Sequence, residues 1–245
     1  MATKDIVFYE GLSPFNGEPI IGIITGLSRK SRNPKTGEML QAWILPRDIN
    51  PLDAVKNGQD ASVCGVCKYR NNGCYVNIAF APNQVWKKYK SGGYDSVLPS
   101  EAAELIRGKV IRIGAYGDPA MIPYEAWKPI IDAAKGHTGY THQWNAKWIN
   151  PLLSTFLMAS VDSKEEYELA KENVWRCFMV ALKGKKGLVQ CPASEEKGKK
   201  TTCQNCKLCS GTTCRSKKDI FILPHGTKKK AAINTLVKSA SPSLF

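Results

Sequence analysis

The chain has 245 residues, of which 43% are apolar and 9% aromatic, a composition typical of a globular protein with an ample core. Its formal net charge of +14 is typical of chains that meet nucleic acid or another polyanion. No apolar run approaches the ~20 residues of a membrane span, and the N-terminus lacks the apolar stretch of a signal peptide, so we expect no membrane partner.

Three strands are predicted near the start of the chain, within an N-terminal β-rich segment over residues 1–60. They cover residues 5–9, 19–26 and 39–45. The sequence Asn33-Pro34-Lys35-Thr36-Gly37 supplies the turn between the second and third strands. A loop-rich passage follows.

Residues 61–190 alternate between predicted helices and strands. The helices cover 83–90, 99–107, 123–135 and 163–174, the last opened by an S-x-x-E capping box at Ser163 and Glu166. The strands cover 109–114, 138–144, 154–161 and 175–182. Strand–helix–strand repeats pair in parallel through crossover helices, so we predict an α/β core with a mostly parallel sheet or a partial (β/α) barrel.

The last third of the chain is basic. Residues 191–224 form a predicted metal-binding segment closed by a strand at 219–223, and residues 225–245 form a partly disordered tail with a short helix at 231–238. From residue 183 onward there are 14 Lys and Arg against 3 Asp and Glu, a net charge of 14 − 3 = +11. These cations either contact nucleic acid, offset the negative charge of metal-bound thiolates, or form a solvated face.

Eight of the nine cysteines fall into two groups. The first cysteine group is Cys64-x2-Cys67-x6-Cys74. The second cysteine group consists of Cys191, Cys203, Cys206, Cys209 and Cys214. Cysteines two residues apart can direct both thiolates at one centre, so we predict two metal sites rather than disulfides. Cys177 stands alone in an apolar run, and we interpret it as a buried small hydrophobe.

The number of cysteines distinguishes the two groups. A structural zinc site needs four closed ligands, and no histidine lies near the first group in the sequence. Three cysteines instead suit a [4Fe–4S] cluster with one open iron, unless a distant side chain such as Cys191 closes a zinc site. The spacing of the second group is close to a ferredoxin-type run and suits either a full cluster or a zinc knuckle.

Polar residues follow several of the predicted strands. Gly117, Asp118 and Pro119 follow the strand at 109–114; Tyr140, His142 and Gln143 lie on the next, and Asp162 ends the third. Parallel sheets gather such residues at their carboxyl edge, so we expect a pocket beside the metal. Each residue also has a structural interpretation: Asp162 as a helix cap, His142 as a core histidine, and Asp118-Pro119 as a turn.

A three-cysteine loop followed by a strand that ends in Gly117-Asp118-Pro119 resembles the radical S-adenosylmethionine (SAM) enzymes. The resemblance covers roughly residues 60–182. It implies that Cys64, Cys67 and Cys74 hold an open [4Fe–4S] cluster, and that Gly117, Asp118 and Pro119 help to bind SAM. The sequence departs from that family in its wider cysteine spacing, in Asp where the family has Glu, and in a barrel that looks truncated.

The chain as a whole also resembles a group of uncharacterised phage- and plasmid-borne cysteine-cluster proteins. The similarity is carried by several segments, among them Cys64-Gly65-Val66-Cys67, Arg112 to Pro119, Thr138 to Trp144, Ala159 to Ser163, and Cys203 to Gly211. It implies a cytoplasmic protein of a bacterial or phage-infected cell, and it implies no activity.

Three functions are consistent with these features. The first is a radical-SAM-like iron–sulfur enzyme with Tyr140, His142, Gln143 and Asp162 in its substrate pocket, acting on nucleic acid through the basic region. The second is a non-catalytic nucleic-acid-binding protein stapled by zinc. The third is a small enzyme of another class with structural metals.

Overall fold

A computed structural model describes residues 4–31, 33–70, 73–184, 186–226 and 228–240. It confirms the predicted α/β fold with mostly parallel strands. Within these ranges there are two sheets, of six and five strands, and neither closes into a barrel. None of the helices in these ranges is long and apolar enough to cross a bilayer.

The first sheet has the order β4-β1-β2-β3-β5-β6. Its strands are β1 (Ile6–Leu12), β2 (Pro19–Thr25), β3 (Leu40–Pro46), β4 (Asp95–Ser96), β5 (Val110–Tyr116) and β6 (Gly136–Thr138). The first three form an antiparallel meander, and β5 and β6 extend it in parallel. All seven residues of β3 are buried, because this strand lies in the middle of a sheet that is covered on both faces.

The second sheet is entirely parallel, in the order β10-β11-β9-β8-β7. It contains β7 (Tyr140–Thr141), β8 (Met158–Val161), β9 (Cys177–Val180), β10 (Val189–Gln190) and β11 (Ile220–Ile222). Only Gly139 separates β6 from β7, so this point of the chain links the two sheets. A Cβ at Gly139 would collide with the side chain of Ile113, which explains why glycine stands here.

Eight α-helices lie within the described ranges. They are α1 (Pro51–Asn57), α2 (Ala61–Cys64), α3 (Ala81–Lys90), α4 (Pro99–Ile106), α5 (Tyr124–Ala133), α6 (Lys164–Glu172), α7 (Cys203–Cys206) and α8 (Lys229–Ala240). The two short helices α1 and α2 occupy the passage that we expected to be a loop. Helix α1 forms because the Asn50 side chain caps Leu52 N–H at 2.9 Å and Gly58 ends it in the left-handed conformation.

The main core fills the space between the first sheet and its helices and continues into the second sheet. Phe8, Trp127 and Phe156 are its largest fully buried side chains, and the rings of Phe8 and Trp127 lie 4.9 Å apart. Cys177 is completely buried in this core, as predicted. The core therefore holds the carboxyl edge of the parallel strands in a fixed position.

Helix α8 changes the interpretation of the basic tail. The predicted helix at 231–238 is present but longer, and it packs against the body of the protein through Ala232 and Leu236. Their contacts include Tyr69, Cys67 and Cys74. The end of the chain as far as residue 240 is thus a docked helix rather than a free tail, while residues 241–245 lie outside the described ranges.

Candidate metal centres

The first cysteine group lies on a loop at the carboxyl edge of the parallel strands. Cys64 ends helix α2, and the side chain of Gln143, just after β7, holds the loop that follows. Gln143 Nε2 donates to the Cys64 carbonyl at 3.0 Å, and its Oε1 accepts from Val66 N–H at 3.3 Å. Gly65 has φ 54°, and a Cβ there would collide with Gln143. Gln143 therefore positions this loop.

A second brace comes from Arg70, which the sequence did not single out. Its guanidinium forms a bidentate ion pair with Asp60, at 2.7 and 3.1 Å, and donates to the carbonyls of Gly58 and Gly65. The Asp60 side chain is 3% exposed, so solvent screens this pair little. The loop that carries Cys64 and Cys67 is consequently fixed from both sides.

Asp118 organises the same edge. Its backbone N–H donates to Val63 O at 2.7 Å, and its carboxylate accepts from Ala120 N–H at 3.0 Å and from His142 N–H at 2.8 Å. Burial raises the pKa of Asp118. Burial is also the main reason that the pKa of Cys64 is raised, and the charges of Cys67 and Asp118 add to it. Both carboxylate oxygens are thus used by the chain itself, which makes Asp118 a link between the cysteine loop and His142.

The neighbours of Asp118 are equally enclosed. A Cβ at Gly117, where φ is 77°, would collide with the carbonyl of Ile44. The carbonyl of Pro119 accepts a hydrogen bond from the Trp127 indole at 2.9 Å. The segment predicted to contact SAM is therefore a tightly packed turn next to the first cysteine group.

His142 lies between the first cysteine group and two carboxylates. Its Nε2 is 3.1 Å from the hydroxyl of Ser160. Burial acts to lower the pKa of His142, but the Cys67 thiol together with Asp162 and Asp118 raises it to about 9. The imidazole is therefore held beside Cys67 and between two carboxylates, surroundings that favour its protonated form.

Asp162 faces the cysteine loop instead of capping helix α6. Its carboxylate accepts from the Tyr69 hydroxyl at 2.7 Å and pairs with Lys68 at 3.1 Å, and the side chain is 1% exposed. The cap is Ser163, whose hydroxyl accepts from Glu166 N–H. Tyr69 and Lys68 belong to the cysteine loop, so this contact joins the loop to the end of β8.

A cleft of about 350 Å³ opens next to these residues, within the size range of small-molecule sites. Its wall includes Val66, Lys68, His142, Ser160, Asp162 and Glu166. A larger cleft of about 440 Å³ runs along β1 and the start of α4, but its lining contains no cysteine or histidine. The lining of the smaller cleft also contains no cysteine, but it includes His142 and Asp162, which makes it the better candidate for chemistry.

Tyr140 lies elsewhere. Its ring stacks on Phe178 at 4.7 Å, its hydroxyl is 3.1 Å from that of Tyr75, and it packs with members of the second cysteine group. Thus the structure brings three of the four predicted pocket residues, His142, Gln143 and Asp162, to the first cysteine group. It places Tyr140 at the second.

The second cysteine group gathers residues from separate parts of the chain. Cys203 and Cys206 lie on one turn of α7, Cys191 follows β10, and the carbonyl of Cys209 accepts from Gly139 N–H at 2.8 Å. Burial raises the pKa of Cys203, Cys206 and Cys209, and the charge of Cys191 raises all three further. The thiols of Cys191, Cys203, Cys206 and Cys209 are therefore close together.

Cys214 has a different environment from the other four. Burial raises its pKa, but hydrogen bonds from Ser210 and from the backbone at Ser216, with the charge of Arg176, bring it below the usual range. The Arg176 guanidinium also donates to the carbonyls of Gly211 and Lys218. Arg176 thus braces the loop that carries this cysteine.

The two groups of thiols differ in how well they suit a single ion and a cluster. In the part of the chain that the structure describes, no three His, Cys, Asp or Glu side chains form a group that could hold a single ion as they stand. An iron–sulfur cluster places its own iron and sulfide between the thiolates and needs wider spacing than one ion. Three thiols at one centre and four at the other match such clusters in the number and kind of their donors.

Comparisons with known proteins gave no family for the chain: no family model, no curated protein and no solved structure matched it.

Proposed function

We propose that the protein is a radical-SAM-like iron–sulfur enzyme whose active centre is the first cysteine group. The main support is that Cys64, Cys67 and Cys74 lie together at the carboxyl edge of the parallel strands. Cys67 lies beside His142, which lines a cleft together with Asp162. When bound there, an open cluster would supply one electron for the reductive cleavage of SAM. Burial of Cys64 and Cys74 raises their thiol pKa, so binding of the cluster releases protons.

The chain's own residues have distinct roles in this proposal. Gln143 and Arg70 fix the cysteine loop. Asp118 holds the backbone of His142. The cleft is lined by basic groups of His142 and Lys68 and by carboxylates that include Asp162. A polar substrate with groups of both signs fits this lining. The SAM contact expected at Gly117, Asp118 and Pro119 stays a prediction.

We assign the second cysteine group an auxiliary centre held by Cys191, Cys203, Cys206 and Cys209. Four thiolates would close the coordination of a full iron–sulfur cluster. A structural zinc would need the same four thiols to move from the positions they have here. Neither of the two clefts described above lies next to the second cysteine group. In the proposal, the centre at the second group braces the second sheet and holds charge.

The experiment is an anaerobic purification with iron, sulfide and zinc analysis, a visible spectrum, and an assay of SAM cleavage after reduction. The proposal predicts a brown protein with iron and sulfide that cleaves SAM. A colourless protein with stoichiometric zinc and no cleavage would instead support the zinc-stapled binding protein.

Nucleic acid is the proposed partner of the basic surface around the second group. Lys200, Lys217 and Lys218 are exposed there. Replacing the three with Gln should weaken binding of single-stranded nucleic acid and reduce the slope of log affinity against log salt by up to about 2–3. An unchanged slope would remove this surface from the proposal. The matched control is replacement of Lys87, Lys88 and Lys90 on α3.

A further inference from the structure

Tyr116 carries a buried hydroxyl that has no partner. It ends β5 with 3% of its surface exposed, and its hydroxyl forms no hydrogen bond within the part of the chain that the structure describes. Arg176 Nε is the other buried side-chain nitrogen or oxygen in that condition. Folded proteins leave few such atoms without a partner, because each one costs desolvation energy.

Each of the two atoms belongs to a residue beside one cysteine group. The charges of Cys64 and Cys74 act on the Tyr116 hydroxyl, as does that of Asp60. Arg176 acts on Cys209 and Cys214. Asp60 forms its hydrogen bonds with Arg70. The backbone also places the end of β5 next to the first group, because Asp118 N–H, two residues after Tyr116, donates to the carbonyl of Val63, the neighbour of Cys64, at 2.7 Å.

We propose that Tyr116 donates its hydrogen bond to the centre held by Cys64, Cys67 and Cys74, on a thiolate or a bridging sulfide. The inference rests on the proposed function, since it requires the first group to bind metal. Outer hydrogen bonds of this kind orient metal ligands and set the reduction potential of iron–sulfur clusters. Tyr116 is thus a positioning residue, which touches neither the substrate nor the reacting atoms.

The test is Tyr116→Phe in the full chain, which removes one oxygen atom. After anaerobic reconstitution with iron and sulfide, we expect the first centre to be lost to a chelator 10–100-fold more readily, the typical cost of an outer-shell change. Its midpoint potential should fall, because a hydrogen-bond donor favours the reduced, more negative cluster. The second centre should keep its potential.

Two control variants assign the effect. Tyr167→Phe removes a hydroxyl that already donates to Asp219 at 2.9 Å, and it should leave both centres unchanged. In a Cys67→Ala background, Tyr116→Phe should have no further effect on iron content or potential. An equal effect in that background would place the hydroxyl at the second centre and overturn the inference.

Folding and metal binding are separated by the metal-free protein. Because the hydroxyl has no partner in the chain, metal-free Tyr116→Phe should melt at or above the wild-type temperature. If the variant also retains the wild-type chelator resistance and potential, the inference is wrong while the proposed function stands. If the wild-type first group takes up no iron, both fail together.

Discussion

The two cysteine groups differ in what surrounds their thiols. The first group has three thiols, and one of them, Cys67, lies beside His142, which lines a cleft with Asp162. The second group has five thiols, from α7 and from the segments around it, which lie near Arg176 and the stacked rings of Tyr140 and Phe178. In the proposed function, the group with three ligands next to a cleft carries the reaction, whereas the group with more ligands braces the fold.

Cys67→Ala should have the largest effect. Loss of a metal ligand should lower SAM cleavage by more than ~100-fold, since even outer-shell changes cost 10–100-fold. Cys206→Ala, the matched change in the second group, should leave measurable cleavage. Counting cleaved SAM per protein for both variants checks the comparison, and equal loss would mean that the two groups form one functional unit.

Within the second group, Cys191→Ala should lower the metal content per chain by one whole centre, whereas Cys214→Ala should leave the metal content unchanged. The reason is that the charge of Cys191 acts on Cys203, Cys206 and Cys209 alike. The charge of Cys214 acts on Cys206, and Cys214 itself is held by Ser210 and Arg176. Metal content per chain is the measurement. The reverse pattern would exchange Cys191 for Cys214 in the ligand set.

His137 should make the fold sensitive to acid. Burial lowers its pKa from 6.5 to about 4, while its Nε2 bonds Phe156 O at 3.0 Å. The unfolded chain therefore binds the proton more readily, and the free energy of unfolding should decrease by about 3 kcal/mol as pH falls from 6.5 to 4. Denaturant unfolding of wild type and His137→Gln tests this; parallel pH profiles would refute it.

Leu236→Ala on helix α8 should have a smaller effect. Leu236 is 5% exposed and packs near Tyr69, Cys67 and Cys74, so truncation should cost about 2 kcal/mol and speed loss of the first centre to a chelator. Val237→Ala, at a half-exposed neighbouring position, should change stability by less than about 0.5 kcal/mol. Equal effects of the two changes would mean that α8 does not protect the first group.

The sequence was sufficient for features that depend on local pattern. Hydrophobic runs predicted the parallel strands, and residues that follow strands predicted the placement of His142 and Asp162. The same reasoning misplaced Tyr140. A single strand over 138–144 would put Tyr140 and His142 on one face, but the chain breaks at Gly139 and β7 ends at Thr141, so they turn to different groups.

Other site residues depend on contacts between distant segments. Arg70 and Tyr116 carry no motif, and their roles follow from a carboxylate at Asp60 and from a hydroxyl left without a partner. Helix α8 packs on the first group through the buried side chains of Ala232 and Leu236, and a pair of apolar positions one turn apart is too sparse a pattern to predict its docking.

The most direct measurement is an electron paramagnetic resonance spectrum of the reduced, reconstituted protein with and without SAM. The account predicts a cluster signal that changes on addition of SAM and disappears in Cys67→Ala. A cluster signal that ignores SAM, or that persists when Cys67 is replaced, would contradict an open centre at the first cysteine group.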